Sequence, residues 1–92
     1  MSPFKFKGVH MIGIKKESMY YKDFNVFSQQ LRARIIQLRK SKGLTQEDMQ
    51  AHELSLRQYQ RIEHGVTTNI TITHLFKISK AFGISVHELF VF

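Results

Sequence analysis

The fold is decided by Gly43-Leu44-Thr45-Gln46-Glu47-Asp48-Met49, then Gln50-Ala51-His52-Glu53-Leu54, then Ser55-Leu56-Arg57-Gln58-Tyr59-Gln60-Arg61-Ile62-Glu63-His64-Gly65. Two helix starts stand here on either side of a short break. Thr45 offers a hydroxyl cap to the first, and Glu47 and Asp48 put negative charge in its first turn, where the helix dipole favours it. Met49 supplies the apolar side of that short helix. Ser55 to Gln58 has the spacing of a capping box, with the glutamine three residues after the cap. The helix it opens runs to Glu63 with Tyr59 and Ile62 facing inward, and Gly65 is placed to end it.

The same signals continue on both sides. Leu31, Ile35 and Leu38 fall at i, i+4 and i+7, one face of a helix that begins at Ser28 and stops near Gly43. Gln30, Arg34, Gln37 and Lys40 cover much of its other side. Thr71 caps a fourth helix whose apolar face is Leu75, Ile78 and Phe82, with Phe76 beside it, and Gly83 terminates it. Ser85-Val86-His87-Glu88 repeats the capping-box pattern and opens a short last helix through Leu89 and Phe90. Local propensity, caps and periodicity agree on an all-α fold of five short helices.

The chain has 92 residues, which is room for one small domain. Its 42% hydrophobic content and eight Phe support a compact core, and a single Pro argues against a turn-rich all-β fold. The absence of Cys removes disulfides and thiolate metal sites and points to a cytoplasmic protein. Fourteen Lys and Arg against seven acids give a net charge of +7, the balance of a protein with a polyanionic partner. All five Arg lie between residues 27 and 65. A solvated helical surface is the alternative account of that charge. The near-apolar run Gly8–Ile14 falls far short of the ~20 residues that cross a bilayer, so no membrane association is expected.

Residues 1–26 stand apart as an N-terminal extension. Phe4-Lys5-Phe6-Lys7 alternates apolar and basic like a strand, and Lys15 to Asp23 is polar with two tyrosines. The segment reads either as loosely ordered or as an arm that pairs with another subunit, lies along DNA or binds a partner protein.

The central stretch resembles the phage-repressor or xenobiotic-response-element (XRE) type of helix-turn-helix regulator. In that family a Gly-Leu-Ser/Thr-Gln-Glu opening begins the second helix, and a Trp/Ile-Glu-x-Gly ending closes the third, the recognition helix. The resemblance covers roughly residues 28–90 and makes 27–92 a five-helix, repressor-like DNA-binding domain. It implies a sequence-specific regulator of transcription, a repressor, bound to double-stranded DNA. In such domains the second helix lies across the DNA backbone and the third enters the major groove.

The resemblance also assigns roles. Leu56, Arg57, Gln58, Gln60 and Arg61 belong to the base-reading face. Arg57 and Arg61 project from one side and suit guanine, Leu56 suits a thymine methyl, and the glutamines suit adenine or phosphate. Gln46 takes the place of a phosphate-contacting glutamine, joined on the DNA backbone by Thr45, Ser55, His64, Thr67, Thr68 and Asn69. Arg39 and Glu63 match a structural pair that ties the first helix to the third. For each reader taken alone, a solvated surface role is the alternative.

This chain departs from the family pattern between Met49 and Ser55. Gln50-Ala51-His52-Glu53-Leu54 is one residue shorter than usual and lacks the glycine of the turn, which implies a tighter turn and a differently angled recognition helix.

Five His with no pair at i, i+3 or i+4 give no metal site, and no nucleophile elbow, P-loop or clustered carboxylate pair points to an enzyme or a cofactor. The apolar ending Leu89-Phe90-Val91-Phe92 suggests a homodimer joined through the fifth helix and C-terminus, unless these residues fold back on their own core. The competing function is an antitoxin or adaptor that uses the same scaffold to bind a protein.

Overall fold

The computed structural model describes residues 14–65 and 70–92. All regular structure among them is helical: α1 (Tyr21–Ser41), α2 (Leu56–His64) and α3 (Ile72–Phe82), with 3-10 helices at Glu47–His52 and Val86–Phe90. The five α-helices expected from sequence are thus three, and tighter 3-10 segments occupy the second and fifth places. The helix expected to be the recognition helix, third in the sequence reading, is α2.

α1 starts at Tyr21, seven residues before Ser28, so Tyr21–Val26 of the N-terminal extension are helical. No side chain caps this end, but Asp23 places negative charge in the first turn. Helix growth adds one hydrogen bond per residue fixed, so an established helix extends through residues that would not nucleate one. The other end stops sharply. Gly43 adopts φ 71°, its N–H donates to the Lys40 carbonyl (3.0 Å), and the Leu44 N–H donates to that of Arg39 (3.1 Å). These two bonds form a Schellman motif, and the left-handed residue at its heart is a glycine because no Cβ obstructs it.

The shortened segment after Gly43 explains its own geometry. A 3-10 helix rises about 2.0 Å per residue against 1.5 Å for an α-helix, so six residues cover the length of about eight α-helical ones. Thr45 and Asp48 close its start reciprocally: the Thr45 N–H donates to the Asp48 carboxylate (2.8 Å) and the Asp48 N–H to the Thr45 hydroxyl (3.1 Å).

The turn that follows has no glycine, and Glu53 takes the left-handed conformation instead, at φ 64°. That conformation costs an L-residue about 1–2 kcal/mol. It is held from both sides. Lys77 of α3 donates to the Glu53 carbonyl (3.2 Å) and lies 3.6 Å from its carboxylate, while the next residue, Leu54, is buried in the core.

The core gathers one or more side chains from every element: Leu31 and Ile35 of α1, Met49, Leu54, Tyr59 and Ile62 of the central stretch, Leu75, Ile78 and Phe82 of α3, and Leu89. Leu54, which the sequence assigns to the turn, is as buried as the helical members. Phe76 turns out of the core and is half exposed. Thr71 caps α3 by accepting from the His74 N–H (3.1 Å). At the C-terminus the Ser85 N–H donates to the Glu88 carboxylate (3.0 Å), and Arg34 of α1 donates twice to the Glu88 carbonyl (3.3 and 3.2 Å). The last 3-10 helix is thereby pinned across α1.

Candidate nucleic-acid interface

α2 begins where the Ser55 hydroxyl accepts from the Gln58 N–H (3.0 Å), half of the capping box. The rotation of the helix about its axis follows from what it buries. Tyr59, Ile62 and Glu63 point inward, which leaves Arg57, Gln58, Arg61 and His64 exposed along the opposite side. Arg57, Arg61 and His64 stand at i, i+4 and i+7 and form one outward ridge. Leu56 and Gln60 lie at its border and are only partly exposed. The exposed side of α2 thus carries two guanidiniums and no carboxylate.

The inward side is held by a polar cluster. Arg39 of α1 donates from Nε to Glu63 Oε2 (2.6 Å), from Nη2 to Glu63 Oε1 (3.2 Å) and from Nη1 to the Leu44 carbonyl (2.8 Å). One guanidinium therefore ties α1, the start of the helix-turn-helix and α2 together. Gln46 donates its amide to Glu63 Oε1 (2.8 Å), and Gln60 donates to Gln46 Oε1 (3.2 Å). A bidentate arginine–carboxylate pair with a further donor is geometrically demanding, and it fixes position as well as distance.

Charge is stabilised there on both partners. Burial works to raise the Glu63 carboxyl, but hydrogen bonds from Arg39 and Gln46 outweigh it and hold it below its ordinary value. The same bond to Glu63 raises the Arg39 guanidinium against its own desolvation. Tyr59 is fully buried beside them. Its hydroxyl makes no hydrogen bond among the described residues, and burial pushes it far above the usual phenol range. At the exposed end, bonds from the Thr45 backbone and hydroxyl hold Asp48 below the usual carboxylate range.

Gly65 ends α2 at φ 72°, and it is crowded as well as left-handed. A Cβ built there would lie 2.8 Å from Cζ of Arg32, so the α1 guanidinium packs closely against the helix terminus. Its positive charge sits where the α2 dipole is negative.

The structure thus joins Gln46, Gln60, Glu63 and Arg39 by hydrogen bonds and leaves Arg57, Gln58, Arg61 and His64 exposed on α2, while Thr45 and Ser55 stand at the starts of the two helical segments and Leu56 is only partly exposed. Thr67, Thr68 and Asn69 lie outside the described residues, as does the strand-like Phe4–Lys7. Sequence reasoning misses Arg32 and the contact between Gln46 and Gln60. Arg32 follows Leu31 of the apolar face, but helical spacing gives no hint of either contact, since both depend on how α1 crosses the helix-turn-helix. Among the described residues no group of three or more His, Asp or Glu is placed to hold a metal, and no helix is long and apolar enough to cross a membrane.

A helix-turn-helix scaffold locked from behind, with a basic, outward-facing second helix, defines a DNA-binding module. The helix-turn-helix family model matches residues 35–89, which is more than half of the chain. The chain belongs to the XRE-type helix-turn-helix family, whose domains serve DNA-binding transcription regulators. No curated protein and no solved structure gave a match.

Proposed function

We propose that this protein is a cytoplasmic, sequence-specific transcriptional repressor that binds an inverted repeat as a homodimer and reads the major groove with α2. The observation that carries the reading is the ridge of Arg57, Arg61 and His64, exposed on a helix whose other side is locked by Arg39 and Glu63. Arg57 and Arg61 each suit the O6/N7 edge of guanine, worth about 1–3 kcal/mol against a wrong base. Thr45 and Gln46 at the start of the Glu47–His52 helix, and Ser55 at the start of α2, offer hydroxyl and amide groups suited to phosphate.

Dimerisation is supported by the far end of the molecule. Phe27 of α1 stacks on Phe90 at 5.9 Å between ring centroids, and Phe92 tilts against both at 5.9 and 6.5 Å. Val26, Val91 and half of Phe92 stay open to solvent beside a shallow cleft lined by Gln30, Ala33, Gln37 and Arg34. The C-terminal aromatics fold back on their own chain and still leave an apolar surface. Reading two half-sites one turn of DNA apart requires the two α2 helices of such a dimer to stand about 34 Å apart.

The test is selection from a random duplex pool at about 150 mM salt, comparing the intact chain with Arg57→Ala/Arg61→Ala. The expected result is an inverted repeat that the double variant loses. Its affinity should fall by about 10³–10⁵ between 50 and 200 mM salt if ~6–10 phosphates are contacted. Pools that contain only unrelated sequences for both proteins overturn the reading in favour of a protein partner.

A further inference from the structure

The hydrogen bonds behind α2 form a directed chain. Arg39 donates to Glu63, Gln46 donates to the same carboxylate, and Gln60 donates to the oxygen of Gln46. An unattached glutamine amide rotates freely and offers its oxygen or its nitrogen to DNA with equal ease. Here neither choice is left to Gln46. Its oxygen accepts from Gln60 and one of its N–H groups donates to Glu63, so the amide is held at both ends and its remaining N–H is the one donor left, in a fixed orientation.

We infer that Gln60 is a positioning residue that acts through Gln46, and that it sets how tightly the protein holds the DNA backbone without selecting the base sequence. This rests on the DNA-binding reading above. Three observations lead to it. Gln60 is partly buried, whereas Arg57, Gln58 and Arg61 on the same helix are exposed. Its amide is already committed to the start of the module, fourteen residues away in sequence. The orientation it enforces matters chemically, because phosphate oxygen only accepts: a Gln46 turned the other way would present its own acceptor oxygen and repel it. Glu63 disfavours a reversed amide, which would set oxygen against carboxylate, but a single bond at the nitrogen leaves the amide plane free to swing. Gln60 supplies the second point of attachment.

The test has two parts. In the free protein, the side-chain amide resonances of Gln46 are followed by NMR before and after Gln60→Ala. The expected result is a marked shift of the Gln46 pair towards the position of a solvated amide. Unchanged Gln46 signals overturn the clamp whatever the protein does with DNA. On the DNA selected by the intact chain, affinities are then measured for Gln46→Ala, Gln60→Ala and the double variant. Loss of one hydrogen bond corresponds to about a three- to tenfold drop for Gln60→Ala. That drop should nearly vanish in the Gln46→Ala background, with the selected sequence unchanged at every position.

Additive losses, or a changed base preference for Gln60→Ala, overturn the inference and make Gln60 a base reader. Failure of the intact chain to select any sequence overturns the regulator reading and with it the DNA half of the inference, while the amide spectrum still decides whether the clamp exists.

Discussion

α1 reaches two very different neighbourhoods. At its C-terminal end Arg39 is held by three hydrogen bonds, two of them to a carboxylate that is almost fully buried. Towards its N-terminal end Phe27 stacks on Phe90 and meets Phe92 at a tilt, with much of the cluster open to water, and the directional bonds nearby are the two from Arg34 to the Glu88 carbonyl. Directional bonds fix an angle and a register; apolar contact fixes only that surfaces stay together. The end that orients α2 uses the first kind of force. The end proposed to meet a second copy adds to the Arg34–Glu88 bonds a surface of the second kind, which is indifferent to whether the covering side chains come from the same chain or another.

That contrast can be broken most forcefully at Glu63. Glu63→Ala strands Arg39 in a partly buried site, and removal of one member of such a pair costs about 3–5 kcal/mol. Urea denaturation should register a loss of that size, together with loss of DNA binding. Acid attacks the same point. The Glu63 and Asp48 carboxyls titrate below their unfolded values of 4.5 and 3.8 in the folded protein. The stability they contribute is complete above those unfolded values and is lost as pH falls through the lower, folded ones. A melting temperature that does not fall across that acid range would mean that the two carboxyls contribute little.

A smaller effect is expected at the aromatic end. Phe27→Ala removes two ring contacts from a half-exposed site, worth about 1–2 kcal/mol together. Sedimentation should show a shift from dimer to monomer that exceeds the change in stability. Equal dimerisation by the variant would place the second copy elsewhere and leave the aromatic cluster as a purely internal feature.

The finest comparison lies at the turn. Glu53→Gly relieves left-handed strain of about 1–2 kcal/mol while adding about 0.5–1 kcal/mol of unfolded-state entropy. Thermal unfolding should therefore show a gain of between about 0 and 1.5 kcal/mol. A loss would mean that the Glu53 carboxylate's approach to Lys77 outweighs the strain.

What can be read from the sequence follows what is local. Ser55 and Thr71 sit at their caps because an N-cap needs only a hydroxyl and the N–H three residues on. Leu31 and Ile35, or Leu75, Ile78 and Phe82, declare a face because 3.6-residue spacing is a property of the chain itself. Six residues from Glu47 to His52 are too few to separate a 3-10 from an α period, so the winding of that segment stays hidden. Glu53 is hidden for another reason: nothing in a glutamate's chemistry announces a left-handed backbone, which here depends on Lys77 and Leu54. Tyr21–Val26 carry no cap, and their helicity is inherited from the turns that follow.

The interface divides in the same way. The residue types of the segment proposed to face DNA are visible as types, with arginines and amides at helical spacing. The bond from Gln60 to Gln46 and the packing of Arg32 on Gly65 are products of tertiary geometry, and no spacing rule contains them.

The length of α1 has a mechanical consequence. Twenty-one residues make a rod about 30 Å long, tied to the recognition helix near one end and to the aromatic cluster towards the other. Such a rod acts as a lever arm. A tilt of about 5° at Phe27, where two copies would meet in the proposed dimer, would displace Arg39, about 18 Å along the helix, by about 1.6 Å, close to half of the ~3.4 Å rise between neighbouring base pairs. A change of side-chain volume at Phe27 or Phe92, remote from any nucleotide, would then alter which half-site spacing the pair can straddle.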